Sequence, residues 1–141
     1  MKKNKATALV LSIASALLII LWLYAALTKM TDHDHFVATL SRSPLIGQYA
    51  AEIGWSLLVV EFVITIFLLF PKLQALGFYG SALLLLLFTG YILYMLRFVP
   101  HLPCSCGGVI QQLSWKQHIV FNSVFLFVSI IGIKTYKAIH L

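Results

Sequence analysis

Pro100-His101-Leu102-Pro103-Cys104-Ser105-Cys106-Gly107-Gly108 separates two long apolar runs and holds the chain's two cysteines, one residue apart. Proline lacks an N–H and fixes its own φ, so the two prolines end the helix in front of them. Gly107 and Gly108 allow φ > 0 and close backbone approach behind the cysteines. The stretch reads as a tight loop at a membrane edge, and it divides its surroundings into two separate spans.

Working outward, the rest of the chain has the composition of a membrane protein. Of its 141 residues, 61% are hydrophobic and 10% charged. In soluble domains about half are apolar and about a quarter charged. A bilayer core about 30 Å thick takes about 20 apolar residues per helix, so four spans fill the chain as one domain, 1–141.

Before the loop lies the third span, about 75–98, Leu-rich, with Tyr91, Tyr94 and Arg97 as interface anchors and Gly77, Gly80 and Gly90 for close helix approach. The short turn Pro71-Lys72-Leu73-Gln74 makes the second span, about 48–70, its antiparallel neighbour. After the loop, Ser114-Trp115-Lys116-Gln117 is a capping box in which Ser114 accepts from the backbone N–H of Gln117, whose side chain reaches back. The fourth span then covers about 115–135. Residues 6–27 follow Lys2, Lys3 and Lys5; this apolar run exceeds a signal-peptide core and ends without an A-x-A-like site, so it reads as a retained first span.

Residues 28–47 form a polar segment between spans one and two. Asp32-His33-Asp34-His35 offers zinc and copper ligand types, but reads as a solvated helix-to-loop junction, and no metal is assigned. Phe36, Val37 and Leu40 at helical spacing predict a short amphipathic helix at the interface, ended by Ser43-Pro44.

The net charge of +6 sits at loops and termini, without the basic stripe interleaved with aromatics that nucleic acid requires. With four spans the termini share a side, which holds Lys2, Lys3, Lys5, Lys72, Lys134 and Lys137. The other side holds Lys29, Arg42, Arg97 and Lys116. The positive-inside rule thus favours both termini in the cytoplasm. The cysteine loop then faces the extracytoplasmic side, where disulfides persist. The expected fold is all-α: a four-transmembrane-helix bundle with a short extracytoplasmic interfacial helix between helices 1 and 2.

Three constellations carry possible chemistry. Cys104 and Cys106 can close a small, constrained ring. So short a loop is a poor staple, because closing it removes little unfolded-state entropy, while strain makes the bond easier to reduce. An exchanging redox pair is the sharper reading; two idle thiols or a thiolate metal site with His101 and His118 are the others. Pro103, Gly107 and Gly108 would shape the loop. In the fourth span, His118 and Asn122 lie one turn apart on one face. His118 would move the thiol proton, or the two would simply order the helix. Lys116 and the positive helix start would favour a thiolate. In the second span, Glu61 stands near mid-membrane, where a carboxylate is costly and faces the bundle interior. It reads as a proton relay or cofactor contact, or as an interhelical hydrogen bond to Tyr, Thr or Ser.

These residues resemble the MauE branch of the DoxX-like membrane proteins, named for methylamine utilisation. The likeness covers about 25–133. It rests on Lys29, Phe36, Leu40, Ser43-Pro44-Leu45 and Glu61, and above all on Pro103-Cys104-Ser105-Cys106-Gly107-Gly108, Leu113-Ser114-Trp115, His118 and Phe121-Asn122. The resemblance implies a multi-pass bacterial inner-membrane protein linked to disulfide formation or maturation of an exported partner. In the namesake role that partner is the disulfide-rich small subunit of methylamine dehydrogenase, helped by a thioredoxin-like protein. The architecture is also similar to vitamin K epoxide reductase and DsbB, which couple to a quinone. Their C-x-x-C is absent here, so no cofactor is assigned. A thiol–disulfide redox or maturation protein is therefore expected, with a non-enzymatic docking subunit or assembly factor as the alternative. A transporter built on Glu61 would need broken helices that four short spans do not provide. Oligomeric state is not legible.

Overall fold

The computed structural model describes residues 4–44, 46–98 and 115–140. The first helix, α1 (Lys5–Thr31), starts where Asn4 caps it: its side-chain oxygen accepts from the Thr7 N–H at 2.7 Å. At 27 residues it is about 40 Å long, enough to cross a bilayer core. The expectation that the polar segment begins at residue 28 is corrected here. Nothing in Thr28-Lys29-Met30-Thr31 breaks a helix, and both threonine hydroxyls turn back to donate to helix carbonyls. Asp32, at φ −135° and ψ 51°, stops the helix one turn later.

The chain then turns into α2 (His33–Ser41), which buries Phe36, Thr39 and Leu40 and half-buries Val37. This matches the apolar spacing read from the sequence. A 3-10 turn (Gly47–Tyr49) leads into α3 (Ala50–Leu69). Phe70 ends α3 in extended backbone, as the residue before a proline must, and Gln74 donates to the Leu68 carbonyl at 3.2 Å. Next come α4 (Gln74–Phe98) and α5 (Trp115–His140). The fourth span thus ends five residues beyond the expected 135, since no breaker follows Thr135. Among the described residues there is no strand.

Four of these helices are long and apolar enough to cross a membrane. Around the bundle, α1 packs on α3 and α5, and α4 packs on α3 and α5. The diagonal pair α1 and α4 touch only slightly, and α3 and α5 have no close backbone approach. Leu18, Trp22 and Ala25 of α1 meet Ile64 and Leu68 of α3 and Phe78 and Leu85 of α4 in the larger apolar cluster, and Phe36, Leu40 and Ala50 form a second. Two glycines permit the tightest contacts: a Cβ at Gly77 would strike Leu68, and one at Gly132 would strike the Phe78 ring. Large apolar side chains such as Leu83, Leu87, Val120 and Phe127 cover the outside, the surface that lipid rather than water would solvate.

A polar tie joins α1 to α4 through the core. The Trp22 indole N–H donates to Ser81 Oγ at 2.8 Å, and Ser81 in turn donates to the Gly77 carbonyl. At the end where α2 lies, the Tyr91 hydroxyl reaches Ser43 Oγ at 2.7 Å. At the opposite end, the Tyr136 hydroxyl donates to the Pro71 carbonyl. The ends of α4 and α5 that bracket residues 99–114 therefore lie at the α2 end of the bundle.

Candidate functional site

Because α1 continues past Leu27, Lys29 stands on its inner face, in step with Trp22 and Ala25. Lys29 Nζ donates to Glu61 Oε1 at 2.8 Å, with side-chain exposures of 1% and 0%. The Lys29 ammonium also sits 5.4 Å from the centre of the Phe36 ring, so α2 covers the pair with an aromatic face. Glu61 comes inward because it shares the register of Gly54, Leu58, Thr65 and Leu68, all buried on α3. The Thr65 hydroxyl donates to the Glu61 carbonyl at 2.8 Å, which leaves the carboxylate itself to Lys29.

Of the two readings of Glu61, the interhelical bond is present, but its partner is not the expected Tyr, Thr or Ser. A lysine takes that place. Because the apolar run ends at Leu27, Lys29 reads as a loop charge; the signal that places it inside is its spacing of four from Ala25 and seven from Trp22.

His118 and Asn122 lie one turn apart on α5, as their spacing predicts. α5 packs on α1, and its first turns, which carry His118 and Asn122, lie at the α2 end of the bundle, as Lys29 does. Asn122 is 2% exposed, while His118 is half-buried and its ring meets Phe121 edge-on. Glu61 Oε2, His118 Nδ1 and Asn122 Nδ2 are all buried without a hydrogen-bond partner. Lys116 is exposed in the first turn of α5. Cys104, Cys106, Pro103, Gly107 and Gly108 lie outside the described residues, as do His101 and the Ser114 half of the capping box.

The Asp32–His35 run serves the helix junction. Asp32 ends α1 and precedes α2, its backbone carbonyl accepting from the Phe36 N–H at 3.1 Å, and the His33 ring packs 4.2 Å from that of Trp55. Among the described residues no three His, Cys, Asp or Glu side chains gather as metal ligands. At the far end of the bundle, an apolar cleft of about 260 Å³ between α4 and α5 is lined by Tyr79, Tyr136 and Lys137. It shares no residue with the Lys29–Glu61 site.

The buried Lys29–Glu61 pair, covered by the Phe36 ring, with His118 and Asn122 on the neighbouring α5, can hold or pass a proton. It can also fix α1, α3 and α5 relative to one another. Comparison with protein families matches residues 7–135 to the model described as methylamine utilisation protein MauE. No curated protein and no solved structure matches the chain.

Proposed function

The chain belongs to the MauE family, and from that premise we propose that this multi-pass membrane protein exchanges thiols and disulfides with an exported partner. The observation that carries the reading is a juxtaposition. The chain's two cysteines fall in the segment joining α4 to α5, and both ends of that segment meet the bundle end nearer the Lys29–Glu61–His118 cluster. The methylamine-utilisation name of the family supports a maturation role within that process.

The protein would sit in a bacterial inner membrane with both termini cytoplasmic, as the basic residues favour, and with α2 and the cysteine segment on the extracytoplasmic side. There α2 would lie along the membrane interface. A thioredoxin-like or other exported protein is the partner class that fits.

Exchange runs through a mixed disulfide. One thiolate of the pair attacks a partner disulfide and displaces a partner thiolate; the second cysteine then attacks the mixed disulfide. The pair ends oxidised and the partner reduced, and the same steps in reverse oxidise the partner. Lys116 and the start of α5 favour the thiolate, and His118 is suited to take and return its proton. Replacing Cys104 or Cys106 singly removes the resolving step. The experiment is therefore to isolate each single Cys→Ser variant from cells under non-reducing conditions. A partner linked by disulfide to one of the variants, and absent from the double variant, is expected. Absence of any adduct in both single variants contradicts the exchange reading and leaves a docking subunit.

A further inference from the structure

The buried polar atoms around Lys29 do not balance within the protein. Lys29 and Glu61 cancel in charge, yet Glu61 Oε2 has spare lone pairs and no donor. On α5, Asn122 Nδ2 has N–H groups and no acceptor, and His118 Nδ1 has no partner either. An unpaired buried polar atom costs about 1–3 kcal/mol, and a bilayer offers no solvent to relieve it. Glu61 Oε2 belongs to the ion pair, and the two α5 atoms stand one turn apart on a helix packed against α1; such atoms call for a partner, since buried polar groups are nearly always paired with protein or ordered water.

Their placement says what fits. Glu61 is on α3 and Asn122 and His118 are on α5, the diagonal pair whose backbones stay apart, with α1, which carries Lys29, packed against both. The unpaired set comprises an acceptor, a donor and an imidazole nitrogen that can be either. The ion pair leaves no net charge to attract an ion. A neutral molecule that both donates and accepts satisfies all of them, and water needs only 2–4 such partners.

We propose that Lys29, Glu61, His118 and Asn122 enclose a hydrated site within the membrane-spanning bundle. There bound water bridges Glu61 Oε2 to the α5 side chains, and Glu61 exchanges a proton with that water. The charged group in contact with Glu61 is Lys29 from α1, and the titratable group on α5 is His118. From α2 the cluster receives the Phe36 ring, while His33 packs on Trp55; on α4 the Tyr91 hydroxyl is engaged with Ser43. The site is independent of whether the cysteines exchange.

Infrared difference spectroscopy of the full chain in lipid nanodiscs tests it. Spectra are taken across a pH titration in ordinary and heavy-oxygen water. Expected are water O–H bands that shift with the heavy isotope and a carboxyl C=O band that grows on acidification. Lys29→Met/Glu61→Leu, which removes both charges together, should lose both signals. If that variant does not fold, Glu61→Gln should lose the carboxyl band and shift the water bands, and Asn122→Leu should shift the water bands alone. Isotope-sensitive bands identical in wild type and variants overturn the proposal. So does a titration with no carboxyl band that depends on Glu61.

Discussion

Lys29 Nζ and Glu61 Oε1 are 2.8 Å apart, joining α1 to α3 where neither side chain meets solvent. Burying one charge in a membrane is costly; burying two in contact lets each neutralise the other. The pair therefore matters less for the attraction it contributes than for what either half would cost alone.

Lys29→Met and Glu61→Leu, made singly, should each destabilise the bundle by about 3–5 kcal/mol, because each strands an uncompensated buried charge. Made together they should return stability to within about 1 kcal/mol of wild type, since an apolar pair of similar volume has nothing to desolvate. Reversible unfolding in mixed micelles reads both. Simple addition of the two losses in the double variant would show that the residues do not act as a pair.

The four spans and the inward face of Glu61 were legible in the sequence, because apolar length and 3.6-residue spacing report burial directly. The partner of Glu61 was not. A lysine two residues past the last leucine of an apolar run looks like the start of a loop, and only the continued register Trp22, Ala25, Lys29 marks it as interior. The match of an i, i+3, i+7 face in one span with a carboxylate in the middle of another was the available signal. His118 and Asn122 could be placed on one face of α5, but the packing of that helix on α1 could not, since that depends on which helices are neighbours in the bundle. The α2 segment was readable from Phe36, Val37 and Leu40. Its contact with the ion pair, through the Phe36 ring, belongs to tertiary packing alone.

Gly132→Ala should loosen the α4–α5 contact, because the new methyl group points into the Phe78 ring. Overpacking of this kind costs about 1–3 kcal/mol. Adding Phe78→Leu should recover part of the loss. A thermal midpoint unchanged by Gly132→Ala would show that the two helices can separate at no cost.

Ser81→Ala removes the acceptor of the buried Trp22 indole N–H and should cost about 1–3 kcal/mol. Ser81→Thr keeps the hydroxyl and should cost less. Thermal unfolding followed by tryptophan fluorescence distinguishes them, and equal losses in the two variants would show that the hydrogen bond is not what Ser81 provides.

The orientation follows from the basic residues and is checked by labelling intact cells with an impermeant maleimide, in a background without native cysteines. Arg42→Cys should label and Lys72→Cys should not. The opposite pattern would invert the bundle and put residues 99–114 in the cytoplasm.

The thiol reading meets its most direct test in the redox state of Cys104 and Cys106 in cells. Protein is alkylated before and after a pulse of reductant, and the two thiols are followed by mass spectrometry. A functional pair should be disulfide-bonded before the pulse, open readily during it and re-form after washout, and the double Cys→Ser variant should lose function while the bundle stays folded. A pair that remains reduced throughout in wild-type cells, with full function in the double variant, would contradict thiol exchange as the work of this protein.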